Sequence, residues 1–130
     1  MPLQTVNIPS ILNAITQPWT PVLVANVNSA YDIKVAKISG SFIWHAHPNT
    51  DELFYILVGS MTLEMEQPHQ DVRLEKGDMF VVPKGVRHRP ISEQGAEIMM
   101  IELVGTINTG DEGDMHPELT VVPEDIRGRA

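Results

Sequence analysis

Ten prolines and nine glycines, spread along this 130-residue chain, cut it into short segments. Several of these segments alternate apolar and polar residues with period two, as half-buried strands do. Residues 31–38 put Tyr31, Ile33, Val35 and Lys37 on one side. Residues 61–66 put Met61, Leu63 and Met65 on one side and Thr62, Glu64 and Glu66 on the other. Further strands are expected at 22–27, 42–47, 53–58, 71–74, 79–82, 88–92 and 97–104. Turn signals separate them, among them Asn28-Ser29, Gly59-Ser60, Gln67-Pro68-His69, Gly77-Asp78 and Gln94-Gly95. One short helix is expected at 10–15. Many short strands at close intervals predict an all-β sandwich or barrel, and the length suits a single domain over residues 1–130.

Charge narrows the partners. A net charge of −8 repels phosphate backbones and anionic lipid, and the nine basic residues form no patch, so neither nucleic acid nor membrane is expected. The absence of cysteine rules out thiolate zinc sites, disulfides and a cysteine nucleophile. The opening residues lack a basic, then apolar, secretory signal, and no apolar run reaches the ~20 residues that span a bilayer. A cytoplasmic protein is the expectation.

The segment from Glu102 to Ile126 carries seven acidic residues and no Lys or Arg. Gly105 to Asp114 reads as a surface loop that covers either a pocket mouth or a partner subunit, with a short edge strand at 119–122. Asp111, Glu112 and Asp114 lack the spacing of an EF-hand calcium loop.

The chemistry concentrates in two stretches. His45 and His47 stand two apart in an expected strand, so their imidazoles leave the same face. Pro48-Asn-Thr-Asp51 is a turn, and Glu52 opens the next strand. If the two strands pair, two imidazoles and a carboxylate converge, a set that suits a borderline divalent metal. Histidines so spaced are also common on solvated strands, and a glutamate at a strand end is ordinarily exposed. In the second stretch, Gly77 precedes a short apolar strand, a tight Pro83-x-Gly85 corner and His88.

Together the two stretches resemble the paired motifs of the cupin superfamily. Motif one covers 40–59, with His45, His47, Glu52 and Gly59 in register, although Ser39 stands where its opening glycine is usual. Motif two covers 77–92, with Gly77, Pro83, Gly85 and His88 in register and Ser92 in place of an asparagine. The resemblance implies a double-stranded β-helix, or jelly-roll barrel, holding one divalent metal ion on His45, His47, Glu52 and His88. Iron, manganese, nickel, cobalt and zinc all suit three imidazoles and one carboxylate.

Strand parity points Ser41, Ile43, Phe54, Ile56, Met61, Leu63 and Met65 inward as pocket-lining residues, giving apolar walls and a small-molecule ligand. Trp19 and Trp44 are assigned to the barrel's outside or a subunit interface, and His69 and His116 to solvent. Arg87 and Arg89 should point away from His88, which argues against a phosphorylated substrate. No general base stands apart from the ligands; Glu52 is the one candidate. The resemblance implies a metalloenzyme of dioxygenase or isomerase type, with a non-catalytic binding or sensor module as the alternative. It also implies a homodimer, for which Leu53, Tyr55 and Leu57 offer an apolar outer face.

Overall fold

The computed structural model describes residues 3–127; Met1 and Pro2, part of the opening read above for a signal, and residues 128–130 lie outside it. It holds a helix α1 (Ile8–Ala14) and strands β1 (Val22–Val27), β2 (Tyr31–Ser41), β3 (Glu52–Met65) and β4 (Val72–Glu75). Strands β5 (Met79–Val82), β6 (His88–Leu103) and β7 (Glu124–Asp125) follow, the last two separated by a 3-10 turn at Gly110–Glu112. The helix starts two residues before the expected position because Asn7 caps it, its side-chain oxygen accepting from the Ser10 amide at 2.9 Å.

Two long strands replace four expected short ones. β3 continues through Gly59 and β6 through Gly95, and they run antiparallel to each other at the centre of the order β4-β3-β6-β2-β1-β7, with β5 also on β3. The first half of β3 pairs with β5 and the second half with β4. The pairing of β3 with β6 slips between Gly59 and Thr62, and there the strands bend. A Cβ on Gly59 would lie 2.4 Å from the Gly95 carbonyl oxygen, at a φ of +79°. Only glycine permits so close a crossing. The sheet thereby curls into the expected jelly-roll barrel.

Alternate residues of β2, β3 and β6 point inward, and Ala36, Ile38, Phe54, Ile56, Met61, Leu63, Met65, Ala96, Ile98 and Met100 form one buried core with Leu74 and Val82. A second cluster lies outside the barrel wall. There Leu12 of α1 packs with Ile15, Val22, Val24 and Val35, and Leu57 and Met99 lie against them. The helix therefore covers the apolar side of β2. The interior receives the other side of that strand, on which Asp32 and Lys34 are buried beside Ala36 and Ile38.

Two expected strands are absent. In 42–47 only His45 makes a β-bridge, to His88, while the Ala46 and His47 carbonyls accept from Asp111 and Gly85 in separate loops. With its backbone groups divided among Pro90, His88, Asp111 and Gly85, the segment forms no continuous ladder. In 119–122 the Leu119 carbonyl and Val121 amide are bound by the Asn108 side chain, so pairing moves to Glu124–Asp125, parallel to β1. Among the described residues no helix is long and apolar enough to cross a membrane.

Candidate metal centre

His45 and His88 are joined backbone to backbone, His45 N to His88 O at 3.0 Å and His88 N to His45 O at 2.9 Å. The Gly85 amide donates to the His47 carbonyl at 2.9 Å, and the Lys84 amide to Asp51 Oδ1 at 2.9 Å. These bonds fasten the Pro83-x-Gly85 corner to the turn between His47 and Glu52. Glu52 is delivered by the first residue of β3, which pairs with Val82. The result brings one ligating atom from each of His45, His47, Glu52 and His88 within 4.8 Å of one another, all four residues buried.

The donor atoms are prepared for an ion. His45 Nδ1 lies 2.9 Å from the Ile43 carbonyl and His88 Nδ1 lies 3.0 Å from that of Val86. Each Nδ1–H can donate there, which fixes the tautomer and leaves the Nε2 lone pair for a metal. His47 Nε2 is buried with no hydrogen-bond partner, although Glu52 Oε1 is 3.4 Å away in poor alignment. An orphaned, buried imidazole nitrogen is costly unless something coordinates it. Three imidazoles and a carboxylate so arranged fit a divalent ion.

Electrostatics agree. Burial pushes the His45 pKa down to about 4, with His88 adding to the effect, so His45 stays neutral and able to ligate. Burial also disfavours a charged His88, but its hydrogen bond to Glu52, with Nε2 3.2 Å from Oε1, outweighs that and raises its pKa above the usual 6.5. Burial alone would raise Glu52, yet His47 and His88 hold its carboxyl well below the ordinary range.

The proton on His88 must leave before a metal can bind. Affinity for a divalent ion should therefore fall as the pH drops below the raised His88 value, by at least about tenfold per pH unit, and level off above it. Calorimetric titration of Mn(II) between pH 5 and 8 checks this. A flat profile over that range would contradict it.

Two of the four residues, His45 and Glu52, face a partly open cavity of about 50 Å³, lined from inside the barrel by β2, β3 and β6. Of the expected lining residues, Phe54 faces it. Ile56, Met61, Leu63 and Met65 pack the core away from it. Ser41 and Ile43 face a separate surface cleft, because the chain leaves strand geometry after Ser41 and the parity counted from His45 is lost. Phe42 and Trp19 take their place, stacked with ring centres 5.0 Å apart. Trp19 is thus part of the cavity wall. Trp44 lies outside under Arg89, which pairs with Glu64 at 2.8 Å, facing away from the metal ligands. Asn108 and Pro123 of the acidic segment complete the wall. Asp111, considered above for calcium, instead grips motif one, its Oδ1 accepting from the Ala46 amide at 2.8 Å. His69 is exposed, and the half-buried His116 lies 3.4 Å from Glu118.

Two polar cavity residues escaped the sequence reading. Lys34 and Glu102 are 2 % and 3 % exposed, and Lys34 Nζ donates to Glu102 Oε1 at 2.8 Å. Burial pushes the Glu102 carboxyl up to about 9, aided by the neighbouring Glu52 charge and opposed by Lys34. The signal for both was parity. Lys34 alternates with Ile33 and Val35, and Glu102 is an even number of residues from His88 on one strand.

A family model described as a cupin domain matches residues 33–104. The uncharacterized protein YdbB of Bacillus subtilis is 30% identical over 83 residues, which cover 64% of this chain and 72% of YdbB. A cupin-2 domain protein of Shewanella frigidimarina is 34% identical, with a TM-score of 0.69 over 74% of this chain and 91% of its own. Protein NMB1881 of Neisseria meningitidis is 32% identical, with a TM-score of 0.70 over 77% of this chain and 99% of its own. With the motif histidines gathered with Glu52 in one buried cluster and a family match across residues 33–104, the chain belongs to the cupin family.

Proposed function

We propose that this cupin is a metal-dependent enzyme acting on a small oxygen-bearing molecule, with one divalent ion per chain held by His45, His47, Glu52 and His88. The observation that carries this is the convergence of four buried donor atoms within 4.8 Å, two of them, from His45 and Glu52, on residues that line a cavity. A bound ion of this class would supply Lewis acidity or, as iron or manganese, redox capacity of the dioxygenase or isomerase type. The chain's own contribution is to shape and dry the site. Trp19, Phe42 and Phe54 exclude water and hold the ligand's apolar part, and the two carbonyls behind His45 and His88 keep their ring nitrogens aimed inward. Glu52, kept ionised, is oriented by its histidine neighbours.

Elemental analysis of protein purified without chelator or metal-affinity resin tests the reading. About one equivalent of a divalent transition metal per chain supports it. Metal-free protein that takes up none after anaerobic reloading sinks it.

We further infer a homodimer formed through the outer face of β3, β5 and β6. Leu53 pairs with Val81 and Ile101, and Tyr55 with Met79, so apolar side chains continue across three strands. Met79 and Val81 remain exposed, at 58% and 38%. Leu57, expected in the same face, packs instead with Met99 against the cluster under α1. Light scattering should give a dimer mass for the wild type and a monomer mass for Tyr55→Glu. A monomeric wild type at micromolar concentration would refute the inference.

A further inference from the structure

The cavity beside the candidate metal centre is too small for the whole of an ordinary substrate. At about 50 Å³ it is well below the ~150 Å³ that admits benzene, so the larger part of an organic molecule bound there lies outside it. A surface cleft of about 480 Å³ adjoins it, within the roughly 300–1,000 Å³ of small-molecule sites. Trp19 and Phe42 line both spaces and form the partition between them. Another cleft, of about 340 Å³, shares only Pro21 with the cavity.

The partition is a fixed aromatic surface. The indole and phenyl rings stack with their planes 23° from parallel. The Phe42 ring in turn meets that of His45 at 90°, centres 5.5 Å apart, so the surface runs without a break to the metal centre. Trp19 is held twice, its amide donating to the Lys37 carbonyl at 2.9 Å and its Nε1 to that of Ser39 at 3.0 Å. Its φ is +65°, a left-handed conformation that a bulky residue keeps only where its surroundings impose it. A smaller apolar residue would cover the barrel end as well. The opposite wall is fixed too: the side chain of Asn108, which lines the cavity, holds the Leu119 carbonyl at 2.8 Å and the Val121 amide at 3.0 Å, and both of those residues face the cleft. Among the described residues the cleft has one charged side chain, Glu118, and no cation to receive an anionic group.

We propose that this cleft is the outer half of the ligand site, with Trp19 its specificity-determining residue, and that the ligand joins a small oxygen-bearing head at the metal to a planar, uncharged aromatic group lying on the Trp19–Phe42 surface. This rests on the metal reading given above. A flat ring makes stacked or edge contacts with an indole that an aliphatic group of the same size does not.

Hydroxamates test this without turnover, because their two oxygens bind the metal while the tail is varied. Binding is read from the visible ligand-field bands of Co(II)-loaded protein, each affinity being taken relative to that for aqueous Co(II). The wild type should bind benzohydroxamate at least about tenfold more tightly than acetohydroxamate, about 1.4 kcal/mol, and at least about threefold more tightly than cyclohexanehydroxamate. Trp19→Leu keeps an apolar cover but loses the flat face. In that variant both preferences should fall below about twofold while cobalt is still bound. Trp44→Phe, on the outside of the barrel, should keep both. A wild type that binds cobalt yet treats the phenyl and methyl tails alike overturns the proposal while leaving the metal reading intact. Equal binding of the phenyl and cyclohexyl tails does the same, as do undiminished preferences in folded Trp19→Leu. The wild-type comparisons stand even if a variant fails to fold. Protein that binds no cobalt overturns both.

Discussion

Alanine in place of His88 should lower the affinity for a divalent ion by more than about a hundredfold. His88 is fully buried at the centre of the site, its ring 4.5 Å from that of His45 and 5.9 Å from that of His47. Its Nε2 stands 3.2 Å from Glu52, and its Nδ1 is held by the Val86 carbonyl. Loss of a partner one step removed from a metal costs roughly ten- to a hundredfold in affinity, so loss of a donor atom should cost more. Without the metal, the same change leaves Glu52 with one histidine fewer and the Val86 carbonyl without its ring partner, at about 1–3 kcal/mol for each group stranded. Chelator competition measures the first effect and urea unfolding of metal-free protein the second. His69→Ala, on an exposed turn, is the control and should change neither. Full metal affinity in a folded His88→Ala protein would remove His88 from the ligand set.

The convergence of His45, His47 and Glu52 is legible in the sequence because its spacing is tied to turns, and the motif resemblance adds His88 to the cluster. Pro83 and Gly85 fix the corner before His88, and Pro48 to Asp51 returns the chain to Glu52, so a few residues suffice to bring the donors together. The rest of the cavity depended on which face of each strand looks inward, and there local pattern misled. On β2 the apolar residues Ile33 and Val35 belong to the face that α1 covers, so the polar face with Lys34 points into the barrel. That inversion requires knowing where a distant helix docks. On β6, residues 98–101 are apolar on both faces and hide the parity of Glu102. Reading Gln94-Gly95 as a turn cut the count from His88, whereas the strand runs on through Gly95 as a bend. Ser41 and Ile43 differ for another reason: in place of the strand expected at 42–47, the Ala46 and His47 carbonyls bond to loops and the parity from His45 is broken.

The acidic segment supplies the second large effect. Gly110 has a φ of +56°, and a Cβ there would lie 2.2 Å from the Ala46 carbonyl oxygen, 3.0 Å from the Ala46 carbonyl carbon and 3.1 Å from His47 Nδ1. These are backbone atoms and a buried ring of the candidate metal centre, so no flexible side chain can swing aside. The adjacent Asp111 donates its amide to that carbonyl at 2.9 Å and accepts from the Ala46 amide through its side chain. Relieving the clash in Gly110→Ala therefore means prising the segment off the residue between His45 and His47. The expected cost is about 3 kcal/mol or more, from an unfavourable dihedral of about 1–2 kcal/mol plus the broken clamp. Metal affinity should fall in the same variant by about ten- to a hundredfold, as when a supporting group is lost. Gly105→Ala separates the two causes. It shares a positive φ, +85°, but its Cβ would meet nothing within 4 Å, so it should lose only the dihedral share and keep its metal affinity. Urea unfolding and chelator competition on both variants decide the matter. If Gly110→Ala is no worse than Gly105→Ala on either measure, the acidic segment encloses the cavity without holding the metal ligands in place.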